Sequence, residues 1–292
     1  MIPVDTGLRQ PAGSLIVGPD RTAGRKKLPT LHNSSGSDYA YIPGGLPFSS
    51  GVVALPGFEI VRARFARPLP VAAGFDAIAA HLREHGRPLT ALCAAELRSP
   101  EPFSFDGFAE FNASWVGTLR RWGLVRQEGN PVARSNVCPV HEPPAAPVFH
   151  AFCYTVPSAA AQAGLLTTSD HSERAPGPRS FVLAGYAEWA EGTAFPDGIV
   201  ARGDRSSAGL EQKAGFVLDT LQRRCVQLGG DWRALTAVQV YTEHDIGPLV
   251  ASQFAPRGLL PLGLHWYPCK PPVQGLEFEI DARCVRRELV ID

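Results

Sequence analysis

The sequence predicts an α+β protein made of two similar units in tandem, each a mixed sheet with two helices packed on one face. Three observations lead there. The chain has 292 residues, long for one domain and sufficient for two with separate cores. Residues 1–50 and 158–179 lack apolar periodicity and are rich in Gly, Pro, Ser or Ala, so they read as an extended N-terminal arm and a linker. The segments between and after them, 51–157 and 180–292, carry the same elements in the same order, which marks an internal repeat.

Each element follows from local pattern. Lead strands are predicted over 58–65 and 180–189. An amphipathic helix comes next in each unit. Phe75, Ile78, Ala79 and Leu82 fall at helical spacing before Gly86, and Phe216, Val217, Leu221 and Leu228 do so before Gly229-Gly230. The matching segments Arg87-Pro88-Leu89-Thr90-Ala91-Leu92 and Arg233-Ala234-Leu235-Thr236-Ala237-Val238 then each open a strand. A second helix is expected over 106–122 and a shorter one over 245–254, both capped by Asp. Two strands finish each unit, 132–140 with 148–156 and 260–267 with 276–285. In the last of these, Phe278, Ile280 and Ala282 alternate with Glu277, Glu279 and Asp281, which puts three carboxylates on one face.

Composition narrows the function. Lys plus Arg and Asp plus Glu are 28 each, so the electrostatic footprint of a nucleic-acid or anionic-membrane binder is missing. The cysteines Cys93, Cys138, Cys153, Cys225, Cys269 and Cys284 have no C-x-x-C spacing, which argues for reduced thiols rather than a zinc site or disulfide framework. No apolar run approaches the roughly 20 residues that span a bilayer, and Met1-Ile2-Pro3-Val4-Asp5 lacks a basic flank ahead of an apolar core. A cytoplasmic protein is expected. His81-Leu82-Arg83-Glu84-His85 fits the H-x-x-E-H pattern of certain zinc peptidases. Gly86-Arg87-Pro88 ends that helix at once and Leu82 belongs to the core face, so no metal is expected there. With no phosphate loop or dinucleotide fingerprint, no cofactor is expected either.

Several segments resemble the RidA (YjgF) family. Phe181-Val182-Leu183-Ala184-Gly185 is similar to its early strand ending in glycine, and Leu276-Glu277-Phe278-Glu279-Ile280-Asp281-Ala282 to its closing strand. Arg134-Ser135-Asn136-Val137 resembles the family's P-x-R-S-x-V segment, with one extra residue after Pro131. The resemblance implies two tandem RidA-like, chorismate-mutase-like domains, a substrate carboxylate bound by Arg134, and a site in a cleft between domains. The family's trimeric habit implies a monomer mimicking a trimer or a homotrimer. The second half has Pro261-Leu262-Gly263-Leu264 where the arginine segment belongs, and the first has His150 where the closing glutamate belongs, while Glu279 is kept. Such complementary halves resemble the chorismatases, tandem fusions whose catalytic acid is a glutamate near the C-terminus preceded by a cysteine. Cys269 ahead of Glu277 and Glu279 is similar, with residues 270–275 lengthening the spacing.

The candidate chemistry follows. A guanidinium such as that of Arg134 matches a carboxylate bidentately. Carboxylates crowded on one face of a partly closed cleft repel, which raises a pKa and makes Glu279, or else Glu277, a proton donor. Gly185 permits close approach to backbone, Tyr186 offers a phenol donor, and Arg202 and Arg205 offer a second carboxylate site. The expected activity is a chorismatase-like hydrolase or lyase that acts on chorismate or a similar enolpyruvyl acid and releases pyruvate after protonation by Glu279. Two alternatives stay open: a RidA-like imine or enamine deaminase, with Arg134 holding the acid and Glu279 orienting water, and a non-catalytic small-molecule-binding or assembly protein.

Overall fold

The computed structural model describes residues 30–162, except 35 and 128, and residues 179–292. Three short strands come first: β1 (His32–Asn33), β2 (Tyr39–Ile42) and β3 (Gly51–Ala54). The chain then runs through β4 (Phe58–Pro70), α1 (Val71–Glu84), β5 (Leu92–Arg98), α2 (Phe105–Arg121), β6 (Ala133–Pro139) and β7 (Val148–Pro157). A second pass follows with β8 (Phe181–Ala187), α3 (Ser207–Gln227), β9 (Ala237–Tyr241), β10 (His265–Tyr267), β11 (Cys269–Lys270) and β12 (Glu279–Cys284). The last strand is β13 (Arg287–Ile291).

The internal repeat extends to topology. One sheet contains the order β6-β5-β7-β4 and the other β10-β9-β12-β8. Strand directions correspond as well: β5 and β9 run parallel to β6 and β10 and antiparallel to β7 and β12, which in turn pair antiparallel with β4 and β8. The anchors Arg87–Leu92 and Arg233–Val238 both become a 3₁₀ turn leading into the central strand.

What the repeat did not foretell is an exchange of strands. β3 pairs with β8, so β1-β2-β3 extends the second half's sheet to seven strands. β13 lies parallel to β4, and β11 lies antiparallel to β6, which makes the first half's sheet six-stranded. Part of the stretch expected to be an arm is therefore sheet. Tyr39, Ala40, Tyr41 and Ile42 are all buried, and the Tyr39 hydroxyl donates to Leu92 O at 2.9 Å. The arm before residue 30 lies outside the described residues, as does most of the expected linker.

The two sheets meet face to face through Tyr39, Val52, Ile60, Ala94, Ala133 and Ala184. α1 and α2 cover the six-stranded sheet with Phe75, Ile78, Leu82, Trp115, Val116 and Leu119, and α3 covers the other with Ala214, Val217, Leu218, Leu221 and Cys225. Burying the Val, Leu, Ile and Phe side chains among these contributes roughly 1.5–3 kcal/mol each. The expected mixed α+β class is thus present, with two mixed sheets, and the expected elements need local corrections. Ser104, not Asp106, caps α2, its Oγ accepting from Gly107 N at 3.1 Å, and Asp106 sits in the first turn, where it suits the helix dipole. Asp245 Oδ1 does accept from Gly247 N at 2.8 Å, yet the helix it starts widens into a π segment at Val250–Phe254. Leu260–Leu262 is a 3₁₀ turn, because Pro261 has no N–H for a ladder and Gly263 takes φ 73°, so β10 is only three residues long. β12 starts at Glu279 rather than 276, since the N–H groups of Glu277 and Phe278 donate to the Glu188 carboxylate at 2.7 and 3.1 Å. His81 Nε2 bonds the Tyr154 hydroxyl at 3.0 Å and His85 Nδ1 bonds His81 O at 2.8 Å, so the two imidazoles of the H-x-x-E-H segment are already engaged. Among the described residues no helix is long and apolar enough to cross a membrane.

Candidate functional site

The site forms where β6 of one sheet packs against β8 of the other, with β12 paired beside β8. On β12, Ile280 faces Tyr186 and Ala282 faces Leu183, so Ala184 and Gly185 together oppose Asp281. This is a β-bulge, a device that re-aims side chains. A Cβ at Gly185 would lie 3.1 Å from Glu279 Cδ and 2.9 Å from Ser135 Cβ. The bare glycine backbone thus leaves the space that the Glu279 carboxyl occupies against β6.

Next to it opens a cavity of about 840 Å³. Arg134, Asn136, Gly185, Tyr186 and Glu279 line it, with Phe48 from the segment before β3, Phe105, Phe108 and Asn112 from α2, and Val273 and Leu276 from the loop before β12. Both halves contribute. The Phe48 segment is fixed by Trp115 Nε1 and Asn130 Nδ2, which donate to Pro47 O at 2.9 and 2.7 Å, and by Ser49 Oγ, which donates to Pro131 O at 3.0 Å.

Arg134 is buried, with Nη2 donating to Asn112 Oδ1 at 2.6 Å. Its guanidinium lies over the rings of Phe48 and Trp115, 4.8 and 5.2 Å from the centroids, with Phe108 and Phe111 slightly farther away. Nη1 has no hydrogen-bond partner among the described residues. Burial pushes the pKa down to about 9, opposed by the charge of Glu279, so the group remains a cation at neutral pH and keeps one donor free. Burial, and then the neighbouring Asp281, pushes Glu279 well above the usual carboxylate range, while Arg98 and Arg134 pull the other way. A carboxyl so placed holds its proton more tightly than an exposed one, as a proton donor requires.

The other sequence candidates divide. Tyr186 lines the cavity, but its hydroxyl donates to Trp189 O at 2.9 Å and its ring carries the Arg224 guanidinium at 4.2 Å, so it serves as wall. Glu277 is not at the cavity. Despite burial, a hydrogen bond from Arg205 (2.5 Å) and the Lys213 ammonium at 3.1 Å hold it below its ordinary pKa, which suits an ion pair and not an acid. Arg205 is thereby committed to Glu277, and Arg202 is exposed, away from the cavity. Cys269 packs with Val137 and Tyr241 beside β6, its thiol pushed up to about 11 by burial, and does not line the cavity. His150 is also outside it, held neutral with its pKa pushed down to about 3 by burial and then Arg98. The residues that sequence reasoning missed are Phe48, Asn112 and Asn136. The signals for them were a polar Asn112 on the apolar stripe of α2 and a polar Asn136 two residues beyond Arg134.

Comparison with known proteins decides the family. A family model described as "2-aminomuconate deaminase CnbZ" matches residues 31–289. The chain belongs to the 2-aminomuconate deaminase family. It is 45% identical over 254 residues to the 2-amino-5-chloromuconate deaminase of Comamonas testosteroni, covering 87% of this chain and 96% of that one. Among solved structures it is similar to a chorismatase (TM-score 0.43, 13% identity, 80% of this chain and 77% of that one). A cyanuric acid hydrolase gives TM-score 0.37 at 11% identity, covering 77% and 67%. Family membership makes the protein an enzyme of a deaminase family, and it favours the imine or enamine deaminase alternative over the chorismatase-like reading.

Proposed function

We propose that the protein is a hydrolytic deaminase of a small unsaturated 2-amino dicarboxylic acid such as 2-aminomuconate. The observation that carries this reading is that Arg134, from the first half, and the buried carboxyl of Glu279, from the second, whose pKa is raised by burial and Asp281, line a single cavity. Arg134 binds the carboxylate beside the amino-bearing carbon. Arg120, which lines the same cavity from an exposed position on α2, is available to the far carboxylate.

Glu279 then gives its proton to the nucleophilic carbon of the conjugated enamine, producing an iminium ion and a carboxylate. That carboxylate takes a proton from the water that adds to the iminium carbon, giving a neutral carbinolamine. Glu279 returns the proton to nitrogen, the C–N bond breaks, and ammonia leaves. The hydroxyl proton goes back to Glu279 as the carbonyl forms. The balance is amino acid plus water to 2-oxo acid plus ammonia, with Glu279 protonated at the start and at the end. The repeated order of strands in both sheets and the complementary Arg134 and Glu279 also support reading the halves as diverged RidA-type units.

The test uses purified protein and freshly generated 2-aminomuconate, following its ultraviolet absorbance and the ammonia released. The expected result is one ammonia per substrate, with Glu279→Gln slowing kcat by about 10²–10⁴-fold. Ammonia release no faster than in the protein-free control sinks the proposal, and pyruvate release from chorismate in a parallel incubation would restore the enolpyruvyl reading.

A further inference from the structure

Arg134 and Asn136 are alternate residues of β6, so both side chains leave the same face of the strand. Each is 3% exposed, and each lines the cavity. Each is also half satisfied in the same manner. One guanidinium nitrogen of Arg134 is held by Asn112 while Nη1 has no partner among the described residues. The Asn136 amide oxygen accepts from Ser99 Oγ at 2.9 Å, while Nδ2 likewise has no partner among the described residues. Ser99 is itself fully buried, and its backbone N–H donates to Val137 O at 2.9 Å, so the hydroxyl that orients the amide is anchored to the same strand.

A buried donor left unmade is costly, and native proteins keep such groups where a ligand will satisfy them. Two of them, on one face of one strand and beside a cavity that also holds a carboxyl acid, define an acceptor-rich ligand group. A carboxylate has the required lone pairs, and one oxygen to each donor uses both residues. We propose that Asn136 is a substrate-positioning residue: its Nδ2 donates to the carboxylate that Arg134 Nη1 binds, and Ser99 holds the amide with its nitrogen toward the cavity. This deepens the deaminase reading and rests on it for the carboxylate at Arg134. It adds a specificity element. A guanidinium alone tolerates any acceptor in reach, whereas two donors from a rigid strand fix the plane of the carboxylate and with it the carbon presented to Glu279.

The experiment measures binding apart from chemistry. cis,cis-Muconate, a diacid without the amino group, is titrated calorimetrically into wild type, Asn136→Ala, Asn136→Asp and Ser99→Ala, with dimethyl muconate as the uncharged control. Wild type should bind the diacid and not the diester. Asn136→Ala should weaken diacid binding about tenfold. Asn136→Asp, the same shape with an acceptor and a negative charge in place of the donor, should weaken it at least about 100-fold. Ser99→Ala should raise the diacid Kd about three- to tenfold and, in ammonia release from 2-aminomuconate, lower kcat as well as raise KM, since the carboxylate plane is then less firmly set. If wild type binds the diacid and Asn136→Asp or Ser99→Ala matches it within twofold, the proposal falls and the deaminase reading survives. If wild type does not bind the diacid, the carboxylate reading of the site falls and takes this proposal with it. Should Asn136→Asp fail to fold by near-ultraviolet circular dichroism, Asn136→Ala takes its place, and diacid binding by that variant within twofold of wild type overturns the proposal equally.

Discussion

Alanine at position 185 isolates the placement of Glu279 from its chemistry. The added methyl would sit 3.1 Å from Glu279 Cδ and still closer to Oε1, with Ser135 Cβ 2.9 Å away on the other side. Ser135 belongs to the core strand β6 and gives way little, so the movable partner is the carboxyl of Glu279, which must retreat by roughly 1 Å to restore ordinary contact. A misplacement of that size costs about 100-fold in a positioned reaction, or about 2.7 kcal/mol of activation free energy. Overpacking adds about 1–3 kcal/mol of lost stability, which urea denaturation measures separately. The assay is steady-state ammonia release by wild type, Gly185→Ala, Glu279→Gln and the double variant. Gly185→Ala should lose about 100-fold in kcat, yet in the Glu279→Gln background it should cost less than threefold, since the group being displaced no longer donates a proton. Gly185→Ala retaining more than a third of wild-type kcat, or losses that multiply in the double variant, would refute the argument.

Two further outcomes are expected. Arg134→Met should cut kcat/KM at least about 100-fold while leaving the melting temperature unchanged or higher, because it removes a desolvated cation with a free donor and keeps a long side chain among Phe48, Phe108 and Trp115; a fall of more than about 5 °C in thermal denaturation would contradict it. Asp281 is pushed up from 3.8 to about 6 by burial and then by Glu96, so its contribution to stability is complete below pH 3.8 and is lost as pH rises to about 6. Asp281→Asn keeps an acceptor for Tyr241 and Gln239 without the charge. Its urea-denaturation free energy should therefore gain on wild type across that interval, and a constant difference would count against the assignment.

What was legible in the sequence was local. Helical spacing located α1, α2 and α3, alternation separated Phe278 and Ile280 from Glu279 and Asp281, and the repeated anchor located the strands β5 and β9 at equivalent places in the two sheets. Arg134, Gly185 and Glu279 were singled out through the segments that resemble the RidA family, and Tyr186 as the phenol that follows Gly185. Tertiary partners were not legible. Nothing in Tyr39–Ile42 reveals that it extends the sheet of the other half, and nothing around Cys269 reveals that β11 borders β6. Glu277 and Glu279 share a face by alternation, but Lys213 on α3 and Arg205 before it take the first and leave the second beside the cavity. That choice is made by a helix some sixty residues upstream of the strand, beyond the reach of any window of periodicity. The guanidinium of Arg134 sits among rings from the segment before β3 and from α2, which only the folded chain assembles.

The division of the two groups between halves has a physical reason. A cation and a carboxyl brought into direct contact form an ion pair, which lowers the carboxyl pKa and uses up the donors of the cation. Such a pair neither donates a proton near neutrality nor binds a substrate carboxylate. The same sheet interface contains that outcome at Arg62 and Glu96, joined at 2.5 and 2.8 Å, where despite burial the Arg62 charge holds Glu96 below the ordinary carboxylate range. Arg134 instead gives its hydrogen bond to the neutral amide of Asn112 and rests on aromatic rings. Glu279 is set by the Gly185 bulge beside Asp281, whose charge raises its pKa further. Carried on β6 and β12 of different sheets, the two groups line one cavity with no ion pair between them among the described residues, so in the proposed reaction each stays available to the substrate.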